Sequence, residues 1–210
     1  MPQSVGLLGG TFDPIHLGHL AMAEWVLETM GLQKVWFVPA GQPPHKAHRR
    51  VTAKHHRLEM VTLATAADPR FEVCRFEIDR DRPSLTIETL QALAPQFDAP
   101  PVFIIGLDSL LTLHTWDSWA SFGDYCHLAV LSRQHPTLRG TEAMEAYVHT
   151  HLPALAGKVH AIDMPLLDIS STLIRRRFQQ GHACRYMLQA EVWAYIQAHQ
   201  LYLPAESGGL

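Results

Sequence analysis

The stretch Gly9-Gly10-Thr11-Phe12-Asp13-Pro14-Ile15-His16-Leu17-Gly18-His19 constrains this chain more than any other. Before it, Val5 to Leu8 is a short apolar run that reads as a buried strand. After it, an amphipathic helix is predicted to end near Met30, before Gly31. A strand, a glycine turn and a helix start in that order aim backbone N–H groups and the positive end of a helix dipole at one spot, which suits an anion. Gly9 and Gly10 carry no Cβ, so a phosphate can approach the backbone there. His16 and His19 are three residues apart and share a face on the first turn of a helix. No Gly-Lys-Ser/Thr closes the stretch as in a P-loop, and the Gly-x-Gly-x-x-Gly of a dinucleotide fingerprint is missing. Two imidazoles beside a phosphate cradle point to phosphoryl chemistry.

The rest of the chain alternates strands and helices, which predicts a Rossmann-like, doubly wound parallel sheet with flanking helices. Lys34 to Pro39, Val102 to Ile105, Leu128 to Leu131 and Lys158 to Ile162 read as strands. Phe71, Val73, Phe76 and Ile78 read as a further strand with an irregularity near Cys74. Helices are predicted from about Ala53 to Ala67 with Thr52 as a cap, from Ser84 to Leu93, from Ser109 to Leu113 with Asp108 as a competing cap, over 141–150, and from about Gln189 to His199. Ser170 is a good N-cap for a helix running to Gln180. The 210 residues, 47 % of them hydrophobic, suit a single domain over 1–204. Its C-terminal helical part would start near 165, and 205–210 would form a tail.

Ligands of open α/β sheets sit beyond the C-terminal ends of the strands, and the polar residues of this chain gather at those places. Lys46 lies in a stiff loop after the second strand, placed for a polyphosphate. Gly106 and Asp108 follow the central strand, where a carboxylate can hold ribose hydroxyls. Trp116 offers a flat face to an aromatic ring, best to a cationic one, whereas Trp119 reads as core. Ser170, Ser171 and Thr172 open a second helix N-terminus with Arg175 about one turn on, a natural triphosphate site. Arg176 and Arg177 read as surface charge.

Histidines 45, 48, 55 and 56 cluster with Arg49, Arg50, Lys54 and Arg57, but no cysteine or carboxylate sits among them at a metal-ligand spacing. This segment reads as a solvated loop with a positive rim for anionic substrates and predicts no resident metal. Net charge is −3, which disfavours broad nucleic-acid or membrane-surface binding. No run reaches the ~18 apolar residues of a membrane span, and no basic segment with a long apolar core marks a secretory leader. Three scattered cysteines, Cys74, Cys126 and Cys184, fit a reducing, cytoplasmic setting.

Several segments agree with one family. Gly10 to His19 closely resembles the nucleotidylyltransferase superfamily signature Gly-x-Phe-Asp-x-x-His-x-Gly-His. With Pro43 to Lys46, Ser84 to Leu90, Gly106 to Trp116, Ile169 to Arg177 and Tyr195 to Tyr202, the chain resembles the bacterial nicotinate-nucleotide adenylyltransferases over nearly its whole length. It departs from their usual pattern at Leu85, often aromatic there, and at Leu107, usually alanine, which bears on local pocket shape.

The resemblance implies adenylyl transfer from ATP to nicotinate mononucleotide, with Mg²⁺ carried mainly by the ATP phosphates. It implies that His16 and His19 contact those phosphates, that Lys46 binds the phosphate chain, and that Ser171 and Arg175 complete the cradle with Ile169, Ser170 and Thr172. Gly9, Gly10, Thr11 and Phe12 would form the central wall, Gly106 and Asp108 the adenosine subsite, and Thr86 and Trp116 the nicotinate subsite. The amide mononucleotide, another phosphate-monoester acceptor, a catalytically silent nucleotide sensor and a homo-oligomer all stay open at this level.

Overall fold

The computed structural model describes residues 4–43, 51–132, 138, 140–165 and 167–203. Six strands form one sheet: β1 (Val5–Gly10), β2 (Lys34–Pro39), β3 (Phe71–Val73), β4 (Val102–Gly106), β5 (His127–Ser132) and β6 (Val159–Asp163). Their order is β3-β2-β1-β4-β5-β6 and every neighbouring pair is parallel. This is the doubly wound order, whose direction of winding reverses between β1 and β4.

Alternation along the strands divides the apolar residues between two cores. Leu8, Phe37, Ile104 and Ala129 face one side, under α1 (Leu17–Thr29), α2 (Lys54–Thr65), α6 (Ser171–Gln179) and α7 (Ala190–Ala198). Leu7, Val38, Phe103, Ile105, Leu128 and Val130 face the other, under α3 (Thr86–Leu93), α4 (Leu107–Thr112) and α5 (Gly140–His151). Burial on both faces is why β1, β2, β4 and β5 read as continuous apolar runs. Ile174 and Phe178 of α6 and Val192 and Ile196 of α7 share the first core with Leu8 and Ile104, so the C-terminal helices pack on the sheet itself. Among the described residues no helix is long and apolar enough to cross a membrane.

Four sequence expectations are corrected. β3 stops at Val73, and Phe76 and Ile78 fall in a turn. The ladder runs from Val35 N–H on the Arg70 carbonyl to Cys74 N–H on the Phe37 carbonyl, and two residues beyond Phe37 Pro39 has no N–H to continue it. The chain then curls, with Asp79 N–H donating to the Arg75 carbonyl. Thr52 does not cap α2: Ala53 holds the cap position with no side-chain bond, and the Thr52 N–H reaches the Asp13 carboxylate at 3.4 Å. Asp108 is not a cap either, because α4 already starts at Leu107 with Gly106 before it. Ser84 lies ahead of α3, and its hydroxyl accepts the Gly41 N–H at 2.9 Å.

Gly41 joins the end of β2 to the segment after β3. A Cβ built there would stand 2.2 Å from the Glu77 carbonyl oxygen, a main-chain atom that cannot swing aside. Gly41→Ala is therefore expected to cost about 1–3 kcal/mol, as overpacking does. A chain of this size should lose roughly 3–10 °C of Tm; an unchanged melting curve would show that the backbone yields freely there.

Candidate active site

A cavity of about 480 Å³ opens at the C-terminal edge of the sheet. Gly9 and Gly10 end β1 and lead into Thr11 along one wall, Ala40 and Pro43 follow β2, and Gly106 ends β4 just before Asp108. Thr86 and Trp116 close the far side. Of the residues singled out from the sequence, the cavity thus gathers Gly9, Gly10, Thr11, His19, Thr86, Gly106, Asp108 and Trp116. Lys46 lies outside the described residues, as do His45, His48, Arg49 and Arg50.

The turn after β1 is tightly set. Phe12 is 2 % exposed and holds a left-handed φ of 50°, which a bulky residue adopts only where its surroundings impose it. Its ring lies where a side chain at Gly10 would be, 2.9 Å from an ideal Cβ, so that glycine makes room for Phe12 as well as for a ligand. His16 is the N-cap of α1 in extended conformation, and its backbone N–H donates to Nδ1 of His19 at 3.2 Å. The two imidazoles stack with centroids 3.7 Å apart, and the Phe12 ring meets His19 edge-on at 5.0 Å. His16 is buried at 4 % exposure behind His19, and of the two only His19 borders the cavity.

The second helix start meets this turn directly. Ser170 caps α6 by accepting the Leu173 N–H at 3.2 Å. Ser171 Oγ donates to the Pro14 carbonyl at 2.8 Å, and Arg175 Nη1 donates to the Asp13 carbonyl at 2.6 Å. Arg175 Nη2 adds a bond to Thr172 Oγ1 at 3.3 Å. A Cβ built at Gly18 would stand 3.0 Å from His16 Nδ1, so the glycine leaves that imidazole its place at the start of α1. Two positively polarised helix ends thus flank one loop. Arg176 is exposed, while Arg177 bonds the Ala183 carbonyl through Nε and Nη2.

Three contributors escaped the sequence reading. Arg57, expected on a solvated rim, is 1 % exposed and is the largest fully buried side chain among the described residues. Nη1 donates to the Thr11 carbonyl at 2.7 Å, Nη2 to the Gly41 carbonyl at 2.9 Å and Nε to the Thr52 carbonyl at 3.0 Å. Burial pushes its pKa down, while the Asp13 carboxylate favours the cation. Tyr202 donates from its hydroxyl to Asp13 Oδ1 at 2.7 Å, and burial first, then that carboxylate, push the phenol pKa well up. Glu77 borders the cavity and accepts the Thr89 hydroxyl at 2.7 Å. Burial raises its pKa above the ordinary value of 4.5, against hydrogen bonds from Thr89 and Ser84 and the charges of Arg80 and Arg57. A run of basic residues hid Arg57, and no local pattern marks Tyr202.

Trp116 is held edge-to-face by Phe103 and Phe122, at 6.5 and 6.4 Å, on the cavity wall. Trp119 is partly buried against the second core. His56 Nδ1 lies 2.8 Å from the Tyr195 hydroxyl, so it joins α2 to α7. Among the described residues no three His, Cys, Asp or Glu side chains are placed to hold a metal.

A parallel sheet of this order, with a glycine turn, paired imidazoles and a second helix end at its switch point, defines a nucleotidyl-transferring class. The model of the cytidylyltransferase-like family matches residues 7–177. A protein of Symbiobacterium thermophilum named probable nicotinate-nucleotide adenylyltransferase is 42 % identical over 206 residues, covering 98 % of either chain. One of Yersinia pestis with the same name is also 42 % identical, over 93 % of this chain and 94 % of its own. The chain belongs to the nicotinate-nucleotide adenylyltransferase family within that class. In fold it is similar to the Plasmodium falciparum nicotinic acid mononucleotide adenylyltransferase complexed with NaAD, with a TM-score of 0.73 at 18 % identity over 95 % of this chain and 97 % of that one. The same enzyme complexed with APC matches with a TM-score of 0.71 at 19 % identity and the same coverage.

The raised pKa of Glu77 has a consequence for stability. A carboxyl with a higher pKa in the folded than in the unfolded chain contributes its full stability below the unfolded value, and loses it as pH rises through the folded value. Glu77→Gln stays neutral throughout. The Tm difference between variant and wild type is therefore expected to shift in favour of the variant as pH rises from about 4.5, near the ordinary value. A gap that stays flat up to neutral pH would contradict this.

Proposed function

We propose that the chain transfers the adenylyl group of ATP to nicotinate mononucleotide, giving nicotinate adenine dinucleotide and pyrophosphate in NAD biosynthesis. One observation carries the chemistry. The start of α6 is bonded through Ser171 and Arg175 to the loop that presents His19, beside a cavity large enough for a mononucleotide. The names of the curated relatives support the choice of acceptor.

The attacking group is a phosphate monoester, largely dianionic near neutral pH because its second pKa is about 6. It needs no strong general base. An oxygen of the mononucleotide phosphate bonds to the α-phosphorus of ATP. The bond from that phosphorus to the bridging oxygen breaks, and pyrophosphate leaves with the electron pair. The task of the protein is to bring two anions together and to neutralise the charge that moves onto the leaving group. His19, backed by His16, Arg175 and the N-terminal turns of α1 and α6 supply that field, and Lys46 would join them on the phosphate chain. The walls away from the phosphate end carry Asp108 and Asp117. Asp108 suits ribose hydroxyls, and Asp117 beside Trp116 suits a positively charged pyridinium ring.

Magnesium would supply further charge neutralisation on the ATP phosphates. The described side chains form no three-ligand cage for it, so it would arrive with the nucleotide, held by phosphate and water. The three free cysteines fit a reducing compartment, and the cytoplasm is the proposed setting.

Pyrophosphate release from ATP and magnesium, measured against nicotinate mononucleotide, its amide and phosphopantetheine, tests the reading. The acid mononucleotide is expected to give the highest kcat/KM. Preference for another acceptor would overturn the substrate, and ATP binding with no release on any acceptor would turn the chain into a sensor. His19→Ala is expected to lower kcat about 100- to 1000-fold, the scale of one lost charge-stabilising donor, with Tm little changed; His16→Ala should follow it. Near-normal turnover of the folded variants would refute these roles.

A further inference from the structure

We propose that Arg57 is a positioning residue for adenylyl transfer: by holding the carbonyls of Thr11, Gly41 and Thr52 at once, its guanidinium sets the glycine turn and the width of the cavity mouth without touching either substrate. The inference rests on the reading of the Thr11–Phe12 turn as a wall of the ATP site.

A buried guanidinium is costly to desolvate unless its donors are satisfied. Arg57 satisfies them in an unusual way. Among the described residues no carboxylate lies within ion-pair distance of it. All three nitrogens donate instead to main-chain carbonyls, and these belong to three separate segments. Thr11 lies in the turn after β1, Gly41 in the turn after β2, and Thr52 in the approach to α2. Thr11, Ala40 and Pro43 all border the cavity, so the fork spans its mouth from behind. A second bond, from Ala40 N–H to the Gly10 carbonyl at 2.8 Å, joins the same two turns one step closer to the sheet.

The Thr11 bond also orients a peptide. In a trans peptide the C=O and N–H point in opposite directions. Drawing the Thr11 carbonyl toward Arg57 therefore turns the Phe12 N–H away from Arg57 and from the interior. With Phe12 at a left-handed φ, this peptide has an alternative orientation that a free turn would sample, and Arg57 holds it in one. The guanidinium has a second effect that needs no contact: it is a permanent cation one residue layer behind a site for polyphosphate. Lysine could keep that charge but, as a point donor on a flexible stem, could not bridge three fixed carbonyls in a plane.

The test uses the full chain with Arg57→Lys and Arg57→Gln. In Arg57→Lys, kcat per folded molecule is expected to fall at least 10-fold well below its Tm, with the KM values for ATP and mononucleotide changed less than about 3-fold. Amide hydrogen exchange over residues 10–13 and 40–42 should quicken more than in the core strands. If Arg57→Lys retains wild-type kcat and wild-type exchange in the turns, the proposal fails; so it does if activity falls only in proportion to the unfolded fraction. Should neither variant fold, exchange in the wild type decides. The proposal requires those turn amides to open only with the whole chain, and independent local opening overturns it. The exchange readout needs no acceptor, so an error in the proposed reaction would leave it intact and show separately as absent product in the wild type.

Discussion

The bond from Ser171 Oγ to the Pro14 carbonyl joins residues 157 apart in the chain. With its neighbour, from Arg175 to the Asp13 carbonyl across 162 residues, it brings the second helix start to the first. Each helix end is a modest electrostatic source, effective within about one turn. Aimed at one loop, the two ends together with buried Arg57 and the stacked imidazoles create a region of concentrated positive potential. The Asp13 and Glu77 carboxylates nearby favour the buried Arg57 cation. The main-chain carbonyls of Thr11, Asp13, Pro14 and Gly41 take up the guanidinium and hydroxyl donors directly.

The sheet makes this convergence available. Because winding reverses between β1 and β4, their outgoing connections run to opposite faces and leave a crevice between them. Glycines line both sides of it, Gly9 and Gly10 at the end of β1 and Gly106 at the end of β4. At Gly106 a Cβ would sit 2.5 Å from Asp108 Oδ1, so the glycine there leaves that carboxylate its position. Glu77, Asp108 and Asp117 line the crevice, while Arg57 and Arg175 bond main-chain carbonyls of the turns beside it.

Local features of the chain carried most of the architecture. Apolar runs located β1, β2, β4 and β5 because both faces of the sheet are covered. Ser170 was legible as a cap because an N-cap is a local hydrogen bond. What stayed illegible depended on partners far away in sequence. Thr52 looked like a cap by composition, yet its backbone groups serve Asp13 and Arg57. β3 ended early because of a proline in the neighbouring strand. Arg57 stood in a basic run and so read as solvated, since nothing nearby shows that its carbonyl partners are 5, 16 and 46 residues distant. The pairing of His16 and His19 was foreseen, but not that one ring would stand behind the other.

Tyr202 reaches Asp13 across 189 residues. During synthesis the glycine turn emerges well before this tyrosine, so until residue 202 is added the nascent chain carries an Asp13 carboxylate without that donor. The Asp13 loop gains this strap only when the residues that follow α7 are in place. A nascent chain shorter than this carries the signature motif without the strap that secures it.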